Sequence, residues 1–263
     1  MLTDAEVEAF EEDGYVTIRG AVPSDVAAAC RAEIEDGLRG QGIDSGDPST
    51  WTRPVVRLAC PWSEAFAAAG TQPVLHEAYD QLLGEGRWVA VPGVGGTIPV
   101  RFRHADDPGD AGWHIDGSFA GPDGTWWVNA QSRERGLLGL VLFDDVGPDD
   151  APTELLVGSH LDVPPIVEPY GPDGASFFTV SAALSPSTLD KPSAFATGAA
   201  GDVFVCHPFL VHRATWPHRG DRPRAIAQPG VATHEPFALD GVDPGPVERA
   251  ILAGLGGAAS QPT

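Results

Sequence analysis

The sequence predicts a mostly β fold with flanking α-helices, built around a jelly roll or barrel. Three observations carry this. From Trp88 onward the chain falls into short β-type runs separated by Gly, Pro and Asp; helical patterning lies ahead of that point; and 42% of the residues are hydrophobic, with acids scattered among the apolar runs as in a packed core. At 263 residues the chain is long for one average domain, yet a single barrel or sandwich with helical additions reaches this size. We assign one domain over 1–263, with a mainly helical part at 1–87, a jelly-roll core at 88–230 and a C-terminal extension at 231–263.

Thr3 and Glu6 have the spacing of a capping box, and Val7 and Phe10 begin an apolar stripe, so a helix is expected from Asp4 to about Asp13, ended by Gly14. Residues 15–19 read as a strand, and Ser24 as the cap of a second helix carrying Val26, Ala29, Cys30 and Ile34. Gly, Ser, Asp and Pro make 40–52 a loop, whereas 62–83 has helical character around Phe66, Leu75 and Leu82. The β-type runs that follow are 88–91, 97–102, 112–116, 137–143, 154–157, 202–206 and 225–228. Between them, 160–200 is rich in Pro, Gly and Ser and too long for a hairpin, which suits a lid or an insertion. The C-terminal GLGGAASQPT is expected to fray, and no internal repeat is present.

Lys and Arg total 16 against 37 Asp and Glu, a formal charge of -21 that repels phosphate backbones and anionic membrane surfaces. Nucleic acid and membrane are therefore not expected partners. Cys30, Cys60 and Cys206 lie far apart, without the paired spacing of a structural zinc site or a disulfide framework. The opening MLTDAEVEAFEEDGY lacks the basic, apolar, small-residue order of a secretory signal, and no stretch approaches transmembrane length. These features place the chain in a reducing cytoplasm.

The chemistry-bearing residues are histidines and acids. In Gly-Trp-His-Ile-Asp the two-residue strand period sends His114 and Asp116 to one face and Ile115 to the other, so both can meet one ion. A second histidine from a distant strand would complete a facial triad with open positions. The run GDVFVCHPFLVH offers His207 and His212, five residues apart; on a continuous strand they face opposite sides, so at most one belongs to the metal unless Pro208 breaks the register. Composition leaves the choice open. His76 falls on a helix, His104, His218 and His234 in polar loops where solvation is expected, and His160 in a Val-Gly-Ser-His turn that reads as structural.

Four pieces in order, TDAEVEAFEEDGYVTIRGAV, GWHIDGSF, DDAPTELLVGSH and GDVFVCHPFLVH followed by RPRAI, resemble the phytanoyl-CoA dioxygenase family, from the opening helix to the Arg224 region. The resemblance implies a double-stranded β-helix of the cupin-like, jelly-roll kind, with Fe(II) held by His114, Asp116 and His212 and with His207 a strand residue or a group behind the ligands. It implies 2-oxoglutarate as cosubstrate, its distal carboxylate bound by Arg224, with Arg222 two residues away as the alternative. A planar guanidinium suits that role because it can clamp a carboxylate with two parallel bonds. Thr215 would add a hydroxyl to the same carboxylate, and Arg101 is a further candidate for binding 2-oxoglutarate or an acidic substrate group. Trp113, Phe119, Trp126 and Trp127 surround the first ligand pair in sequence and could wall an apolar chamber.

The implied activity is a dioxygenase reaction on a small-molecule substrate, consuming dioxygen and releasing succinate and carbon dioxide. Related halogenases replace the carboxylate ligand by a small residue, so Asp116 favours hydroxylation or another oxidative outcome such as desaturation. Two other classes are weighed against this: a cupin-like metal enzyme without 2-oxoglutarate, disfavoured by the Arg222 and Arg224 pair, and a non-catalytic ligand-binding jelly roll, disfavoured by the intact triad. A strongly acidic chain is also a poor host for a phosphate-rich CoA thioester.

Overall fold

Helix α1 (Asp4–Asp13) forms as its caps dictate. Thr3 accepts from the Glu6 amide while the Glu6 carboxylate accepts from the Thr3 amide at 2.8 Å, and Gly14 ends the helix in the left-handed region at φ 87°. A Cβ on Gly14 would lie 2.5 Å from His160 Nδ1, so close approach as well as conformation requires glycine there. Strand β1 (Tyr15–Ile18) follows, then α2 (Ser24–Arg39), where Pro23 takes the cap position and Ser24 is already helical. Strand β2 (Val55–Ala59) was not anticipated. The helical stretch beyond it is two helices, α3 (Glu64–Gly70), capped by Ser63, and α4 (Pro73–Leu83). Pro73 explains the break, since a residue without an N–H fits only the first turn of a helix.

The remaining strands are β3 (Thr97–Arg101), β4 (Phe119–Ala120), β5 (Trp126–Val128), β6 (Leu137–Leu142), β7 (Glu154–Leu156), β8 (Ala175–Ser176), β9 (Ser193–Phe195), β10 (Val203–Cys206), β11 (His212–Arg213), β12 (Arg224–Ala227) and β13 (Gly230–Val231). Short helices α5 (Pro164–Val167), α6 (Phe177–Ala182) and α7 (Pro186–Leu189) lie within 160–200, and α8 (Pro246–Ala258) closes the chain. The computed structural model describes residues 1–258. Helix α8 occupies the first half of the tail expected to fray, and the rest of that tail lies outside the described residues. No described helix is long and apolar enough to cross a membrane.

Every strand pairing is antiparallel. The main sheet runs β1-β10-β6-β12-β3-β2 with β13 also on β6, and two smaller sheets run β11-β7-β9 and β4-β5-β8. Both edge strands of the main sheet, β1 and β2, come from the mainly helical part at 1–87. The 160–200 segment gives β8 and β9 to the smaller sheets. Residues 88–91 make only a bridge from Trp88 to Thr233, and 112–116 only a bridge from His114 to His212, so neither is the strand that its sequence suggests.

Strand alternation divides the main sheet into two faces. Val141, Val203, Val205, Ala225 and Ala227 pack with Phe10, Cys30, Ile34 and Phe66 of the helices. Leu138, Leu140, Leu142, Phe204, Cys206 and Ile226 face the other way, onto Leu155 of the second sheet and onto Ala196 and Leu210. Arg224 shares its side of β12 with Ile226, Arg101 lies directly opposite Arg224 on β3, and His212 lies opposite Leu155 on β7. All three polar side chains therefore start from the inner face, between the sheets.

Candidate active site

The chain leaves β10 in the main sheet and enters β11 in the second, and this crossing delivers His212. Val211 is fixed on the way by its amide bond to Ser159 Oγ at 2.9 Å. On arrival His212 exchanges both backbone hydrogen bonds with His114, at 3.0 and 2.9 Å, and the two rings stand 4.4 Å apart between centroids. Although 112–116 is no regular strand, its alternation survives. Ile115 is fully buried in the helix-side core, with its amide bonded to Ser181 Oγ of α6 at 3.3 Å, while His114 and Asp116 point the other way and are half-buried.

One ligand atom from each of His114, Asp116 and His212 lies within 4.8 Å of the others, a group that could hold a metal ion. The rings are oriented for it. His114 Nδ1 lies 2.9 Å from Gly112 O and His212 Nδ1 lies 2.9 Å from Leu210 O, so each Nδ1 donates to a carbonyl and each Nε2 is left as an acceptor. Desolvation, with His114 beside it, pushes His212 down to about 4, leaving a neutral imidazole at neutral pH. Desolvation pulls the Asp116 carboxyl upward, but His212, Arg135 and His114 outweigh it and hold it below the usual carboxylate range. Two imidazoles and one carboxylate, with an open side at His114 and Asp116, suit a divalent iron site that keeps positions free.

His207 takes no part. It continues the alternation of β10 to the helix side, where Nδ1 accepts from the Phe209 amide at 3.1 Å, Nε2 lies 3.3 Å from Val247 O, and the ring packs against His160 and Phe10. His160 is fully buried with Nε2 3.0 Å from Glu11 O, a structural role as the turn suggested. His76 of α4 lies tilted against the Trp88 ring, His104 is half-buried with Nδ1 accepting from the Asp106 amide, and His234 is exposed. His218 departs from the expectation of a solvated loop histidine. It is 3% exposed, 4.0 Å from Asp150, and has no hydrogen-bond partner on either nitrogen among the described residues; burial lowers it to about 4.

The four cosubstrate candidates occupy different environments. Arg224 is 2% exposed, donates to the carbonyls of Asp150 and Ala151, and makes no ion pair among the described residues. Burial and the adjacent Arg101 depress its guanidinium to about 9, so it stays charged at neutral pH. Arg222 is exposed and lines a surface pocket with Asp144, Asp145, Asp150 and Asp221, to which Arg224 also contributes from its buried position. Arg101 is buried but already committed to Asp110 at 2.8 Å, which Arg57 also holds. The Thr215 hydroxyl donates to Pro152 O at 2.6 Å.

Of the aromatic residues near His114 and Asp116, Phe119 is buried under the Arg133 guanidinium and Trp113 lies beneath that of Arg213 at 4.2 Å. Trp127 donates to Asp123, and Trp126 is 55% exposed beside Gly117, where an added Cβ would come within 2.5 Å of it. Arg135 was not anticipated: its Nη1 donates to Asp116 Oδ2 at 2.6 Å. Nothing local in the polar run NAQSRERG marks it, because the contact spans nineteen residues.

No curated protein sequence matches this chain. Among solved structures, the epimerase SnoN in complex with Fe3+, alpha ketoglutarate and nogalamycin RO aligns at 18% identity, covering 88% of this chain and 82% of that one, TM-score 0.57. The non-heme alpha ketoglutarate dependent carbocyclase SnoK from nogalamycin biosynthesis aligns at 19% identity over 93% and 92%, TM-score 0.55. HygX from Streptomyces hygroscopicus, with nickel, 2-oxoglutarate and hygromycin B bound, aligns at 16% identity over 90% of both chains, TM-score 0.54. At such identities the likeness speaks for the fold. The description Phytanoyl-CoA dioxygenase (PhyH) belongs to a family profile that matches residues 10–226, most of the chain. This protein is a member of the phytanoyl-CoA dioxygenase family.

Proposed function

We propose that the protein is a non-haem Fe(II), 2-oxoglutarate-dependent dioxygenase that hydroxylates a small-molecule metabolite, on a double-stranded β-helix. The observation that carries this is the group of His114, Asp116 and His212, with both Nε2 atoms and one carboxylate oxygen converging and family membership behind it. When bound, iron and 2-oxoglutarate supply with dioxygen the oxidising power for attack on a C–H bond, the cosubstrate leaving as succinate and carbon dioxide. The protein's own part is to bind, orient and shield. His114 and His212 present imidazoles whose orientation the Gly112 and Leu210 carbonyls fix. Asp116 supplies the charge that a ferrous ion needs and that a halide-accepting site would lack.

Arg224 is the distal-carboxylate clamp in this reading. It is a buried cation on the inner face whose hydrogen-bond partners are neutral carbonyls, so an entering carboxylate gives it the direct ion pair that it lacks. The exposed position of Arg222 and the commitment of Arg101 to Asp110 make both weaker clamps, and Thr215 would have to release Pro152 O to contribute.

The test is a product experiment. The reconstituted enzyme is offered a panel of small metabolites under isotopically labelled dioxygen, with succinate as the indicator of turnover. A hydroxylase yields a product carrying one labelled oxygen atom. Succinate formed together with an oxidised, rearranged or epimerised product that holds no label would set hydroxylation aside in favour of outcomes such as those named for SnoN and SnoK.

A further inference from the structure

We propose that Arg135 is a positioning residue that holds Asp116 as a one-oxygen ligand, keeping a coordination position open for the cosubstrate. This rests on the reading of His114, Asp116 and His212 as the metal ligands. The two carboxylate oxygens of Asp116 are differently engaged. Oδ2 takes the Arg135 Nη1 bond at 2.6 Å, while Oδ1 faces His212 Nε2 at 3.9 Å, the nitrogen left free by the Leu210 bond. A carboxylate with both oxygens free can chelate a metal through either or both. One whose second oxygen sits in a charge-assisted hydrogen bond offers a single donor in a fixed direction.

The loop that carries Arg135 is built to hold it. Ser132 and Glu134 both adopt left-handed backbone, at φ 43° and 68°, a conformation that residues with a Cβ disfavour. Hydrogen bonds on both sides secure the turn. The Arg135 amide donates to Ser132 O at 3.0 Å, the buried Ser132 hydroxyl donates back to Arg135 O at 2.6 Å, and the buried Asn129 side chain accepts from Arg133 and donates to Pro172 O. Gly136 then bonds to Val231 at 2.7 Å and β6 begins. The guanidinium lies over Gly230, where an added Cβ would come within 3.6 to 3.8 Å of it. Arg135 therefore approaches Asp116 from the hydrogen-bonded turn that leads into strand β6, and its side chain is 19% exposed.

The test uses Co(II) as a spectroscopic probe in the full chain, comparing wild type with R135Q, R135M and R135K. In R135Q and R135M, Asp116 is free to chelate, so the visible ligand-field spectrum of the Co(II) protein should change. Affinity for 2-oxoglutarate should also fall, by on the order of the 10- to 100-fold that losing a group that orients a metal ligand costs in metal affinity or activity. R135K, which keeps a charged donor, should recover most of both. Wild-type spectra and 2-oxoglutarate affinity in R135Q and R135M would overturn the proposal, as would failure of both to fold, which would make Arg135 a structural residue. If wild type itself bound no Co(II), the ligand reading would fall first.

Discussion

At the scale of single residues, Arg224 is a buried guanidinium bonded to two carbonyls, and in the proposed reading it gains a charged partner when the cosubstrate enters. Losing one member of a buried charge pair costs about 2 to 5 kcal/mol. Arg224→Ala should therefore raise the dissociation constant for 2-oxoglutarate by roughly 30-fold or more while leaving metal content near wild type, and the exposed Arg222→Ala should change neither. Equilibrium binding to the metal-loaded protein checks this; the reverse pattern would move the clamp to Arg222. Asp116→Ala should lower iron occupancy after anaerobic reconstitution and abolish succinate formation, because it deletes one of three metal bonds and the only carboxylate among them; full occupancy with normal turnover would dissolve the triad. The pair His114 and Asp116 was legible because its spacing survives even without a regular strand. His212 over His207 was not, since both histidines sit in one apolar run, and only the crossing between sheets turns one inward and the other toward the helices. His218 and Arg135 were illegible for the same reason, their surroundings being assembled from distant segments.

At the scale of elements, α1 was readable down to its caps, whereas β2 and α8 were not. The run VVRLA alternates weakly inside a polar stretch, and α8 is an Ala- and Gly-rich helix whose stability comes from docking. Its anchor is Glu248, 2% exposed, which accepts from Arg87, from the Gly245 amide at 2.9 Å and from the Ala238 amide at 3.0 Å. Desolvation raises this carboxyl, but Arg87 and the two amides outweigh it and the net shift is downward. A depressed carboxyl contributes stability that is present above its unfolded value and is lost as pH falls through the folded one. Glu248→Gln should therefore cost about 2 kcal/mol at neutral pH, roughly 4 to 8 °C of melting temperature in a chain of this size. The gap to wild type should narrow as the solution is acidified below the ordinary carboxylate range. Melting curves across pH check this, and a gap that stays constant into acid would remove Glu248 as the anchor.

At the scale of the whole molecule, composition and punctuation foretold a mostly β fold with flanking helices, but not the antiparallel pairing or the path of the chain through the sheets. The first strand and the last-placed edge of the main sheet both come from the segment at 1–87 that helical patterning dominates, because edge pairing is decided by partners far along the chain. The sheets bring the inner-face residues Arg224, Arg101 and His212 to one interior, and the bridge between His114 and His212 adds His114, with Asp116 two residues on. In the proposed function this interior binds iron and 2-oxoglutarate together, which an anaerobic titration tests. Under nitrogen, Fe(II) and 2-oxoglutarate added to the protein should give the weak visible charge-transfer band of a metal-chelated keto acid, requiring both components and weakened by Arg224→Ala. Tight zinc binding, no iron binding and no band at excess 2-oxoglutarate would contradict it.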